Sequence, residues 1–193
     1  MSNHVGARAS SPHRGWHDRG YLPHFDAGAV VQTVTFRLVD SLPREFCEKA
    51  AAVASSNIVR SFHFEKVIDE GLGRCLLTDP ANAAIVRGAL EFFDGERYLL
   101  LAWVVMPNHV HAMIEQISGH RLGDIVHGWK SYIANLINQR NSTKGRLWAA
   151  DYFDRFVRDE KHYINARYYI ENNPVKARLV GRPEDWPYSS ATT

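Results

Sequence analysis

The chain has 193 residues, a hydrophobic fraction of 45%, a charged fraction of 23% and a formal net charge of +2. These values suit one ordinary globular domain and exclude a disordered or collagen-like chain. No apolar run approaches the roughly 18–20 residues that span a bilayer, and two cysteines, Cys47 and Cys75, make neither a disulfide framework nor a metal-binding spacing.

The first 25 residues are rich in Gly, His, Arg, Ser and Pro and read as an N-terminal arm. "VVQTVTFRLVD" (30–40) is β-branched and partly alternating, which predicts a strand. "SLPREFCEKAAAVASSN" predicts a helix begun near Ser41, with Pro43 in its first turn. Residues 57–77 fit no single period. "TDPANAAIVRGALEFFDGER" opens a helix with Asp79 as N-cap and Pro80 where its missing N–H does no harm, ending near Asp94-Gly95.

"RYLLLAWVVMP" (97–107) has the composition of a buried strand. "NHVHAMIEQI" (108–117) is a second strand, joined to it by a tight turn at Pro107-Asn108. Residues 121–141 carry apolar side chains at 122, 125, 126, 129, 132, 133, 136 and 137, an amphipathic helix. "GRLWAADYFDRFVRD" (145–159) contains an extended segment. Residues 160–173 predict a helix capped by Asp159 and stopped by Pro174. Residues 175–193 form a tail whose aromatics can dock on the core. The order predicts one α/β (α+β) domain over 1–193. It would be a ferredoxin-like sandwich with a mainly antiparallel sheet and helices on one face, followed by a C-terminal helix.

Side chains alternate along a strand, so His109 and His111 share a face while Val110 and Ala112 point the other way. Two adjacent imidazoles can bind one ion, but they need a further ligand, and such a pair also arises structurally. Tyr169 and Asn173 are four apart on the last helix and project from one face. An Asn carbonyl oxygen suits Mg²⁺ or Mn²⁺. A Tyr hydroxyl, with a pKa of about 10, becomes a nucleophile only when a base or cation helps it ionise. Tyr168 and Tyr169 can equally be packing residues.

"WVVMPNHVHAMIE", "GRLWAADYFDRFVRDEKHYINARYYIENNPVKARLV" and "WPYSS" together resemble the REP-associated tyrosine transposases, members of the single-tyrosine HUH nucleases. The resemblance implies that His109, His111 and Asn173 hold Mg²⁺ or Mn²⁺ and that Tyr169 is the nucleophile of the C-terminal helix. It implies a substrate of single-stranded DNA hairpins and a 5′-phosphotyrosine intermediate. It implies that "RGYLPHFD" (19–26), with Arg19 and Tyr21, helps to read a sequence beside the hairpin.

Residues 120–193 hold 12 Lys and Arg against 8 Asp and Glu, a mild basic bias that permits nucleic-acid binding. Lys130, Arg155 and Arg158 are candidate phosphate contacts, with Arg140 beside them, and Trp148, Tyr152 and Phe153 candidate stacking surfaces. Zn²⁺ is less apt than Mg²⁺ or Mn²⁺, because no Cys or further His completes a set of four. No membrane or nucleotide cofactor is expected; a monomer or homodimer in the cytoplasm is. Two other classes stay open: a catalytically silent hairpin-DNA-binding regulator, and a hydrolytic metal phosphoesterase in which water attacks.

Overall fold

The computed structural model describes residues 16–18, 23–25, 30–42, 67–69 and 71–192. The expected helix after Ser41, and the candidate DNA contacts Arg19 and Tyr21, lie outside the described residues.

Two short strands, β1 (Trp16–Asp18) and β2 (Pro23–Phe25), pair antiparallel. The main sheet has four strands: β3 (Val31–Arg37), β4 (Tyr98–Val105), β5 (His109–Gln116) and β6 (Phe153–Phe156). Their order is β4-β5-β3-β6, and every neighbouring pair is antiparallel. This is the open sheet of a ferredoxin-like α+β fold, as the alternation of elements predicts.

Helix α1 (Pro80–Glu91) begins as expected: the Asp79 carboxylate accepts from Ala81 N at 2.8 Å, and Pro80 sits in the first turn. It ends at Glu91, a few residues before the Asp94-Gly95 turn. Helix α2 is Leu122–Arg140, and its apolar stripe buries Leu122, Ile125, Val126, Trp129, Ile133 and Ile137. Both helices pack on the sheet face formed by Val34, Phe36, Val110, Ala112 and Ile114. The Tyr98 hydroxyl inside this core is paired on both sides. Tyr98 Oη donates to the Leu90 carbonyl at 2.6 Å and accepts from Trp129 Nε1 at 2.9 Å.

Trp148 and Tyr152 belong to this core, 4% and 5% exposed, so neither offers a face to a base. Phe153 is half-buried.

Helix α3 (Glu160–Glu171) packs on the opposite face of the sheet, against Ala102, Val104, Met106 and Met113 through Ile170. Asp159 caps it, accepting from His162 N at 2.8 Å. The sequence predicts that it runs to Asn173, but it stops two residues earlier. Pro174 has no N–H to give to Ile170, so the ladder cannot continue. Asn172 turns the chain, with φ −90° and ψ 2°, and a one-turn helix, α4 (Asn173–Lys176), follows with Pro174 in its first turn. The tail then runs beside β4: Val105 N donates to Tyr188 O at 2.8 Å, Trp186 Nε1 to Val105 O at 3.0 Å, and Trp103 N to Ser190 Oγ at 3.0 Å. No helix among the described residues is long and apolar enough to cross a membrane.

Candidate metal centre and active site

The β3–β5 register places Thr35 opposite His111 and Arg37 opposite His109. Period-2 alternation then sends Val34, Phe36, Val110 and Ala112 into the α1/α2 core and turns both histidines toward α3. His109 is 1% exposed and His111 3%. Their Nε2 atoms stand 3.0 Å apart, and the rings meet edge to face at 4.6 Å.

Neighbours fix the ring chemistry. His109 Nδ1 lies 2.7 Å from Asn108 Oδ1. The Asn108 amide is oriented by its nitrogen, which donates to Leu72 O at 2.9 Å and Ile68 O at 3.3 Å. A carbonyl oxygen only accepts, so His109 carries its proton on Nδ1 and presents a bare lone pair at Nε2. His111 Nδ1 is held at 2.7 Å by the Thr35 hydroxyl, which can play either role. Burial pushes His109 well below the ordinary imidazole range, with the charges of His111 and Lys176 adding to it. Burial also takes His111 down to about 4, with Asp69 pulling the other way. Both rings are therefore neutral at pH 7, the ligating form.

A residue that sequence reasoning missed completes the cluster. Asp69 brings a carboxylate oxygen within 4.8 Å of both ring nitrogens, and its side chain is only 9% exposed. Its Oδ1 is 3.6 Å from His109 Nε2. That contact has ion-pair length, yet with His109 neutral at pH 7 it is not an ion pair. Asp69 Oδ1 and Asn173 Oδ1 are both buried and have no hydrogen-bond partner among the described residues. Asn173 is wholly buried on α4, and its amide nitrogen is 3.4 Å from His111 Nε2.

Two bare or ion-ready nitrogens and two orphaned oxygens are what a divalent cation satisfies, so the donor set fits one. Asp69 also changes the reasoning about which ion. Two histidines and a carboxylate are a set that Zn²⁺ accepts too, so the expected disfavour toward Zn²⁺ loses its ground.

Tyr169 is half-buried on α3, and its ring centre stands 5.5 Å from that of His111 within the same chain. Its hydroxyl donates to Asp69 Oδ2 at 3.3 Å. Lys176 Nζ contacts the same Oδ2 at 2.6 Å and lies 4.9 Å from the Tyr169 ring centre. A cleft of about 450 Å³ opens beside this group, lined by Thr33, His111, Arg155, His162, Tyr169 and Lys176 among others.

Of the candidate DNA contacts, Arg155 lines the cleft from β6, and Arg158 is exposed just before α3. Lys130 is engaged within the fold. Its ammonium is turned inward onto the carbonyls of Ala149, Ala150 and Asp151, at 2.8, 3.0 and 3.4 Å. A lysine that satisfies three backbone acceptors of the 149–151 segment is a structural strut, far from the solvated charge that helix position alone suggests. Arg140 likewise pairs with Asp79, at 2.8 Å.

A family model described as "Transposase IS200 like" matches residues 76–173, just over half of the chain. An uncharacterised Haemophilus influenzae protein is 30% identical over 95 aligned residues, covering 38% of this chain and 52% of that one. An Escherichia coli REP-associated tyrosine transposase is 30% identical over 92 residues, covering 46% of this chain and 52% of that one. The chain thus spans about half the length of these two relatives. A solved REP-associated tyrosine transposase bound to a REP hairpin shares the fold, with a TM-score of 0.56 at 19% identity over 86% of this chain and 79% of that chain.

Proposed function

The chain belongs to the IS200-like transposase family, and from that premise we propose that it is a metal-dependent single-stranded DNA endonuclease and strand transferase. Its substrate would be a hairpin of the REP type, the partner named for the solved relative. His109, His111 and Asn173 would hold Mg²⁺ or Mn²⁺, and Tyr169 would be the nucleophile. When bound, the cation supplies Lewis-acid polarisation of a nonbridging oxygen on the scissile phosphate.

One spatial relation carries the reading: a phenol near the end of the chain stands 5.5 Å, ring to ring, from an imidazole 58 positions earlier, and both line one cleft. No second copy is needed to bring them together. In this reaction the Tyr169 hydroxyl oxygen attacks phosphorus in line and gives up its proton. The bond from phosphorus to the 3′ oxygen breaks, and that oxygen takes up a proton in exchange for the one the phenol lost, leaving a 3′-hydroxyl and a 5′-phosphotyrosine. The new bond keeps the energy of the phosphodiester, so a 3′-hydroxyl can reverse the step and join strands without a nucleotide cofactor. The strand fixes the histidines and the helix fixes the tyrosine, and such rigid placement limits misalignment at the reacting centre. Arg155 and Arg158 would meet phosphates flanking the site.

Incubation with hairpin-bearing single strands and Mg²⁺ or Mn²⁺, followed by a denaturing gel, tests this. A covalent protein–DNA species that disappears in Tyr169→Phe and in His109→Ala supports it. Cleavage without an adduct, surviving in Tyr169→Phe, would assign the protein to the hydrolytic phosphoesterases. Binding with neither adduct nor cleavage would leave a hairpin-binding regulator.

A further inference from the structure

Asp69 uses its two oxygens differently. Oδ2 is shared between the Lys176 ammonium, at 2.6 Å, and the Tyr169 hydroxyl, at 3.3 Å. Oδ1 faces the histidine nitrogens and accepts no hydrogen bond among the described residues. A structural ion pair with Lys176 explains Oδ2, but it leaves a carboxylate oxygen buried and unsatisfied, which folded proteins avoid. The placement of the segment is also specific. Asn108, the residue before the first histidine, accepts from His109 with its carbonyl and donates to the backbone of Ile68 and Leu72 with its nitrogen. The same side chain that sets the His109 tautomer therefore ties the Asp69 segment to β5, with Ile68 wholly buried beneath it.

We propose that Asp69 ligates the ion of His109 and His111 through Oδ1 while its Oδ2, together with Lys176, holds the Tyr169 hydroxyl. One carboxylate then sets the spacing between ion and nucleophile. The inference rests on the proposed roles of the ion and of Tyr169, and it adds a charged ligand to a set that otherwise has none. It makes Asp69 a positioning residue for Tyr169: filling the ion site draws on one of its oxygens and fixes the other against the phenol.

The test measures Mn²⁺ binding by calorimetry for the full chain and for Asp69→Asn, Asp69→Ser, His109→Ala and Tyr169→Phe, each first checked for cooperative thermal unfolding. Mn²⁺ affinity should fall at least tenfold in whichever Asp69 variant folds, fall as far in His109→Ala, and stay within about twofold in Tyr169→Phe. A second readout is the Tyr169 ring resonance in protein carrying ¹³C-tyrosine, assigned by its loss in Tyr169→Phe. Mg²⁺ should shift it in the native chain and leave it unmoved in Asp69→Asn. Wild-type Mn²⁺ affinity in the folded Asp69 variants overturns the ligation, even where the DNA adduct forms normally. An Asp69-dependent affinity and resonance shift in a protein that forms no adduct with any hairpin upholds the ligation and defeats the nuclease reading instead.

Discussion

Thr35 and His111 face each other across the β3–β5 pair and share a 2.7 Å contact between hydroxyl and Nδ1. The contact orients the ring so that Nε2 meets its partner on His109. Thr35→Val keeps the branch and removes the oxygen. Mn²⁺ affinity should drop about 10- to 100-fold, the usual effect of losing a group that orients a ligand. Stability should change by about 1 kcal/mol, the net worth of one hydrogen bond. Calorimetric titration and thermal unfolding of the same sample check both.

Asn108 has a broader reach, because it holds His109 and two backbone carbonyls at once. Asn108→Ala should weaken Mn²⁺ binding about 10- to 100-fold. It should also destabilise the fold by about 1–3 kcal/mol, since two acceptors lose their donor. An affinity loss without any fall in the unfolding midpoint would show that the tie to residues 68 and 72 carries no weight.

Acid should loosen the ion-free protein over a defined window. Burial holds His111 at about 4, whereas in the unfolded chain it titrates near 6.5. Between those values the unfolded chain binds more protons than the folded one, so stability falls as pH falls. It is fully present above pH 6.5 and lost progressively toward pH 4. The contribution of His111 is on the order of 3 kcal/mol. Denaturant unfolding at several pH values should show this slope, and His111→Gln should reduce it, leaving the part that the buried His109 contributes.

Lys130 should matter to folding and leave hairpin binding untouched. Lys130→Met keeps the aliphatic stem and removes the donor that the Ala149, Ala150 and Asp151 carbonyls share. A loss of about 1.5–3 kcal/mol is expected, the range for hydrogen bonds to a charged group. Hairpin affinity in a gel-shift assay at constant salt should stay within about twofold. A large affinity loss with unchanged stability would return Lys130 to the DNA contacts.

The histidine face was legible because strand alternation is a strict period, and the apolar residues at 110 and 112 mark the opposite side without ambiguity. Tyr169 and Asn173 were legible as neighbours, since a spacing of four survives even though the helix breaks between them at Asn172. Asp69 was not. It lies 40 positions before His109, in a stretch with no period, and only the folded chain brings it to the imidazoles. Thr35 hid among other β-branched residues of its strand, because its value lies in register, which composition does not encode. Asn108 read as a turn residue, which it also is. Trp148, Tyr152 and Lys130 show the converse: residue types suited to nucleic acid were drawn into the interior or onto backbone carbonyls by their own surroundings.

The tail beside β4 has a consequence for solubility. β4 is the outermost strand of the sheet on its side, so its outward N–H and C=O groups would otherwise be open to another strand. Tyr188, Trp186 and Ser190 occupy that flank at Val105 and Trp103, and Ser190 Oγ also donates to Glu171 on α3 at 3.2 Å. These last residues therefore act as a seal against edge-to-edge polymerisation. A chain cut before Trp186 should self-associate in light scattering at concentrations where the full chain stays dispersed.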